Sequence, residues 1–510
     1  MIILTPQRLK AWTTWGLSFC LICFALTHSQ SSAAAQNHQH PAPEKLGVVH
    51  FGTSCSADVQ PEFERGVALL HSFAYSAAEN AFRSVIARDP NCAIAHWGVA
   101  MTYLHQLWEP YLAPEDAARG QVEIQQAKRI GGSERERGFI DALSATYAKA
   151  DSVPYHERAN AYTVAMGKLA ERYPDDCECQ VFYALALIAM ASPTDNTHAN
   201  EKKAAALLEP LFQKYPQHPG IPHYLIHACD NSEMARRGVA AARAYSQIAP
   251  SAPHALHMPS HIYTRLGMWE ESIASNLGAR TAAHAQGDVG EELHAMDYLT
   301  YAYLQLGRDS EAQSVLKDLH AMEGLQAAEF KIGYAASAMP VRYAIERRQW
   351  TDAARLQSIS RAQPHVSAVT VWARAIGLAR SGQPGAAGQE IKKLQNSYEQ
   401  LHGLGDDYWA TQVHVQINEA LAWVAQAEGK SDEALYLLRT AADEEDAVEK
   451  RPVTPGAVIP AREQLADLLL ELNRPQEAIK EFERALTMAP QRRGALMGKA
   501  HASEMIAATN

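Results

Sequence analysis

The feature that most constrains this chain is a length that recurs. The stretch "AREQLADLLLELNRPQEAIKEFERALTMAP", Ala461 to Pro490, has the apolar spacing of two helices joined by a short turn. Its second half sets Ala478, Phe482, Ala485 and a closing Pro490 at offsets of four, seven and twelve. The same grammar stands near the other end, where "AAENAFRSVIARDP" places Ala78, Phe82, Val85 and Pro90 at those offsets. "YAYLQLGRDSEAQSVLKDL" and "AWVAQAEGKSDEALYLLRTAA" are further copies. A two-helix unit of this size cannot bury its apolar stripe alone and must stack on its neighbours. The 510 residues hold room for about ten or eleven units.

The pattern resembles the tetratricopeptide repeat (TPR), over nearly all of the chain after its N-terminal segment. The resemblance implies an all-α, right-handed α-solenoid of stacked helix–turn–helix pairs, with the first helix of each pair lining a concave surface. The phrases "HYLIHACD", "APHALHMPSHIYTRLGMWEESIASN" and "HAMDYLTYAYLQLGRDSEA", with "NCAIAHWGVAM" and "EKRPVTPGAVIPAREQLADLLLEL", resemble a subgroup of exported bacterial TPR proteins. That likeness implies fold and compartment and carries no activity. The expected organisation is a signal peptide at 1–35, a leader at 36–58 and the solenoid at 59–510. Within the solenoid, a histidine-rich central part spans about 177–330 and C-terminal repeats span about 334–495.

The expectation of export, to a periplasm or the exterior, rests on the N-terminus. Arg8 and Lys10 precede the apolar "WGLSFCLICFAL", and "SSAAAQ" offers a small-residue cleavage site after Ala35. No later apolar run is long enough for a membrane helix, so no membrane span is expected in the mature chain. Cleavage leaves Cys55, Cys92, Cys177, Cys179 and Cys229, with Cys55–Cys92 a candidate disulfide. A hydrophobic share of 47% places the chain among globular proteins, and a net charge of −11 with no basic stripe excludes nucleic acid as an expected partner.

The repeat frame locates the histidines. Pro216 and Pro250 stand thirty-four residues apart and each closes a second helix, so new first helices begin near Pro219 and Pro253. In that frame His223 is equivalent to His257 and His227 to His261. His223, His227 and Asp230 share one helical face, as do His254, His257 and His261, and as do His294, Asp297 and Tyr301. His71 and His105, again one period apart, join the groove from upstream, and Tyr263, Arg265 and Tyr298 flank it. Pro259 disturbs this picture. Inside a helix it costs about 3 kcal/mol, so the helix either kinks there or starts there.

The candidate metal ligands are His223, His227, Asp230, His254, His257, His261, His294 and Asp297. Histidine with one or two carboxylates suits zinc, copper or iron, whereas hard oxygen-seeking cations such as calcium fit poorly. The sequence has no HExxH, GxSxG, P-loop or dinucleotide fingerprint, so it names no reaction. Three readings stay open: a groove that binds a ligand or partner beside a metal site, a metal-dependent hydrolase or oxidoreductase, and a protein–protein scaffold. A protein or peptide partner is expected in the groove, although the inner residues depart from a carboxylate clamp, with Arg265 and Arg342 as the nearby cations. His38 in "QNHQHP" is read as part of a polar leader, and "TAADEEDAVEKRPVTPG" (residues 440–456) as solvated surface.

Overall fold

The computed structural model describes residues 44–107 and 112–509. The signal-peptide reading and His38 lie outside the described residues. Among those residues every regular element is helical, and no helix is long and apolar enough to cross a membrane.

The repeat grammar becomes packing at its aromatic position. In the helix Tyr75–Arg88 the buried residues are Ala78, Ala81, Phe82 and Val85, and in Pro475–Met488 they include Ala478, Phe482 and Ala485. Each phenylalanine lies against a glycine sixteen residues on, Gly98 or Gly498, where any Cβ would run into the ring. The small residue thus sets how closely one helix pair stacks on the next. Polar caps start several helices: Asp176 accepts from the Cys179 N–H at 3.0 Å, and Asp288 from the Glu291 N–H at 3.0 Å.

In the central part the first helices follow one another as Cys177–Ala189, Gly220–Cys229, the broken helix Pro253–His257 and Pro259–Arg265, and Val289–Gln305. The second helices Ala199–Lys214 and Val239–Ile248 end just before Pro216 and Pro250, as the repeat frame requires. All ten residues of Gly220–Cys229 are buried, and so is every residue from Glu291 to Gln305. These inner helices are therefore not the floor of an open groove. The chain covers them itself.

The cover comes from the segment 447–460. The Tyr298 hydroxyl donates to the carbonyls of Pro452 and Thr454 at 3.3 and 3.2 Å, and Arg342 Nη1 donates to the Gly456 carbonyl at 3.1 Å. Residues 453–455 are buried. The solvated-surface reading of this stretch is thus corrected, because buried cations and hydroxyls of the inner helices need the backbone acceptors it brings. Farther along, the Arg492 guanidinium donates to the Tyr301 hydroxyl at 3.1 Å, and Trp269 Nε1 donates to the Gln491 carbonyl at 3.0 Å. The C-terminal repeats in this way reach back to the centre. At the N-terminal side, Cys55 and Cys92 form a disulfide, while Cys177, Cys179 and Cys229 are free.

The Glu445 carboxylate anchors the covering segment by accepting from the Ala461 N–H at 2.7 Å. Burial pushes this carboxyl up to about 7 from an ordinary 4.5, against the pull of that N–H. A raised acid is protonated in the fold while the unfolded chain already ionises. Its contribution is full below about 4.5 and is lost as the pH rises through about 7. Urea titrations should therefore show the wild type losing stability relative to Glu445→Gln across that window, and parallel pH profiles would contradict this assignment.

Candidate metal centre

Three consecutive first helices supply six buried histidines. His223 and His227 stand one turn apart on Gly220–Cys229, His254 and His257 on Pro253–His257, His261 on Pro259–Arg265, and His294 on Val289–Gln305. Their rings fall into two groups of three, His223 with His227 and His254, and His257 with His261 and His294. Within each group one ring nitrogen per residue lies within 4.8 Å of the other two. None of the six side chains is more than 6% exposed. Each group takes an HxxxH pair, His223 with His227 or, across the break at Met258, His257 with His261, and a third histidine from the next first helix, so the pairs are displaced by one repeat.

Pro259 makes this division possible. It has no N–H to continue the ladder, and the helix breaks at Met258, which keeps helical angles of −52° and −35°. The break is a kink between two short helices. The single face expected for His254, His257 and His261 is split: His254 joins the earlier group, His257 and His261 the later one.

The orientation of the imidazoles follows from the partners of their Nδ1 atoms. His223 Nδ1 lies 2.5 Å from the His71 carbonyl, which can only accept. His254 Nδ1 lies 3.3 Å from Glu291 Oε2, and His261 Nδ1 2.9 Å from Asp230 Oδ2. His257 Nδ1 lies 2.6 Å from Asn276 Oδ1, whose amide nitrogen is already donating to the Ser272 carbonyl at 2.7 Å. Each of these four imidazoles therefore carries a proton on Nδ1 and turns its Nε2 inward. The inward atoms crowd together: His223 Nε2 is 3.1 Å from both His254 Nε2 and His227 Nε2, and His257 Nε2 is 3.0 Å from His261 Nε2.

Burial, reinforced by the neighbouring histidines, holds His223, His227, His257 and His294 well below the usual imidazole range. Burial also lowers His261, although Asp230 resists. These are neutral donors at neutral pH.

The carboxylates stand one step back. Asp230 receives His261, Arg265 at 2.8 Å and Lys450 at 3.0 Å. Burial works against its charge, yet Lys450, Arg265 and His261 outweigh that and hold it well below the usual carboxylate range. Glu291 is held down in the same way, burial being outweighed by Lys331 at 2.5 Å and by His254. Asp297 pairs with Arg342 at 2.8 Å, and burial raises it in spite of that cation. Both aspartates that the sequence proposed as ligands are thus engaged outside the two histidine groups.

The other expected groove residues take supporting places. Tyr298 sets its ring against His257 and His261, 4.7 and 5.2 Å between centroids. Tyr263 belongs to the apolar core, and Arg265 bridges Asp230 to Glu449 at 2.8 Å each. His105 lies apart, its Nε2 3.1 Å from the Thr102 carbonyl and its ring 4.3 Å from that of Tyr75.

His71 belongs to a third cluster, in which the Glu178 carboxylate lies 2.9 Å from both His71 Nε2 and His218 Nε2. The two imidazoles share this one carboxylate, and the three side chains form a further group whose donor atoms could hold a metal ion. Its service to the centre is the His71 carbonyl that orients His223.

Sequence reasoning missed Phe73, Asn276, Glu291, Lys331, Glu449 and Lys450. Phe73 sits at a positive φ of 54° and packs on the first group, edge-on to His223 at 4.4 Å and tilted against His254 at 5.3 Å. A non-glycine residue held there costs of order 1–3 kcal/mol and persists only where packing dictates it. Of these residues only Glu291, three before His294 on the same helix, left a local signal.

A cavity of about 340 Å³ opens beside the first group, lined by His227, Asp230 and Lys450 and by Tyr155, Ile188 and Met190. Burial pushes Lys450 down to about 8 although Asp230 supports its charge. The cavity therefore joins an apolar wall to a cation next to the histidines.

Replacing Asn276 by leucine removes the acceptor for His257 and is expected to cost about 1–3 kcal/mol. Urea denaturation of metal-free protein measures it, and an unchanged midpoint would mean that His257 does not depend on this bond.

Residues 459–492 match the sequence profile of the tetratricopeptide repeat. No curated protein matches the chain. Among solved structures, the chain is similar to the P58(IPK) TPR domain at 12% identity, covering 89% of this chain and 99% of that one with a TM-score of 0.21. It is similar to the human IFIT1 dimer with m7Gppp-AAAA at 11% identity, covering 81% and 90% with a TM-score of 0.36. It is also similar to the Cut9–Hcn1 hetero-tetramer of APC/C at 12% identity, covering 87% and 76% with a TM-score of 0.36.

Proposed function

We propose that this tetratricopeptide-repeat chain is a metalloprotein that holds a pair of transition-metal ions in its two histidine groups. The carrying observation is the approach of Nε2 atoms whose imidazoles have committed their protons to Nδ1. Between His257 and His261 lone pair faces lone pair at 3.0 Å with no proton to share, and His223 Nε2 stands 3.1 Å from His254 Nε2 in the same arrangement. Such contacts repel in a buried site. A cation between them turns the repulsion into ligation, and tetrahedral bonds of about 2.0–2.1 Å place neighbouring ligand nitrogens roughly 3.3 Å apart, a small outward step from the spacing seen. The outward acceptors on His223, His254, His257 and His261 are the partners that metal-bound histidines commonly have.

The donors are all imidazole nitrogens, which favours zinc, copper or iron over magnesium or calcium. The ligand or substrate is a small, partly apolar molecule that reaches the ions through the cavity lined by His227 and Lys450. Two kinds of chemistry suit such a pocket: hydrolysis by a metal-bound water and oxidation by a redox metal. The covering segment 447–460 speaks against an extended peptide lying along these inner helices, so a protein partner would use the outer faces of the solenoid. The Cys55–Cys92 disulfide supports the proposal that the chain works in an oxidising, exported compartment.

Elemental analysis of the untagged mature protein is expected to find two equivalents of zinc, copper or iron per chain. His223→Ala and His257→Ala should each remove one equivalent. Adding the metal at a hundredfold over its Kd should stabilise the apoprotein by about 2.7 kcal/mol. Absence of stoichiometric metal, with no uptake on titration, would sink the proposal.

A further inference from the structure

The charges around the two groups discriminate among the ions that nitrogen donors accept. Six imidazole side chains supply no negative charge. The charged groups that touch them, with their partners, cancel: Asp230, Glu291 and Glu449 are matched by Arg265, Lys331 and Lys450. Two divalent ions would therefore bring four positive charges into a buried, neutral pocket, at a large desolvation cost. Two copper(I) ions bring only two, and copper(I) accepts three neutral nitrogen donors without an anionic ligand.

The two groups also lie close together. His227 and His261 have ring centroids 6.0 Å apart, and His254 and His257 6.2 Å apart. Within the groups the spacings run from 4.2 Å, for His257 with His294, to 6.5 Å, for His227 with His254. The nearest rings across the two groups are thus no farther apart than the widest pair within the first, so ions held in them would be near enough to share a diatomic ligand.

Resting on the reading of the site as a two-ion centre, we infer that the metal is a copper(I) pair and that its substrate is dioxygen. Each copper(I) gives up one electron to become copper(II), and dioxygen takes both to become a bridging peroxide dianion. The O–O double bond becomes single, two copper–oxygen links form, and no proton is needed. The centre carries two positive charges before the step and two after it. A pocket whose surroundings cannot supply charge tolerates this reaction, whereas oxidation of the pair without an anionic ligand would double the buried charge. Phe73 packs on the rings of the first group and the segment 447–460 covers the inner helices, which leaves the cavity beside His227 as the approach for that ligand.

The test loads the full mature chain with copper(I) anaerobically and then admits oxygen. The expected result is two coppers per chain, uptake of one dioxygen per copper pair, a peroxide-to-copper band in the near ultraviolet, and no copper(II) signal in electron paramagnetic resonance because the two spins couple. His294→Gln and His227→Gln, checked for helicity by circular dichroism, should leave one intact group each. These variants should take up no dioxygen and show an isolated copper(II) signal on chemical oxidation. Two bound ions in the wild type without dioxygen uptake, or with uncoupled copper(II) after oxygen, would overturn this inference and leave the two-ion centre standing. Failure to bind any transition metal would overturn both.

Discussion

Consecutive first helices lie side by side at a displacement of one repeat, and nearly everything else depends on that contact. It exists because no helix pair can cover its own apolar stripe, and because small residues such as Gly98 and Gly498 let an aromatic ring seat against the next helix. A side chain placed at one position of the repeat then meets its own equivalent in the next. Stacking of this kind turns a motif that is weak once, HxxxH, into a three-dimensional array.

How much was legible follows from the same contact. The helical solenoid, the ends of the helices before Pro216 and Pro250, and the equivalence of His223 with His257 are local or periodic, and a period can be read in one dimension. The division of the six histidines was not legible. Pro259 announced a kink, but only the packing of neighbouring helices decides that His254 turns to His227 while His257 turns to His294. The places of Asp230 and Asp297 were also beyond the sequence. Spacing put each carboxylate near a histidine, but the cations that draw them away, Lys450 and Arg342, lie 220 and 45 residues off.

The acidic and proline-rich stretch at 440–456 shows why composition misleads at such a place. Its charges look like those of a solvated loop, and in a solenoid with an open inner face that reading would stand. Here the inner face carries Arg265, Arg342 and a buried Tyr298 hydroxyl, each in need of a partner. A burial of this kind is stable only when donors and acceptors are matched across the interface, and the loop supplies both Glu449 and a run of backbone carbonyls.

The position of that loop in the chain has a consequence for the order of assembly. All six imidazoles lie between residues 223 and 294, whereas their cover arrives with residue 450. Solenoids propagate structure from neighbour to neighbour, so the helices bearing the histidines can stack while the last repeats are still unfolded. The pocket then passes through a stage at which its inner wall stands complete and its roof is missing. Should the pocket take a guest, loading and sealing would be separate events, the first open to anything the unroofed helices admit.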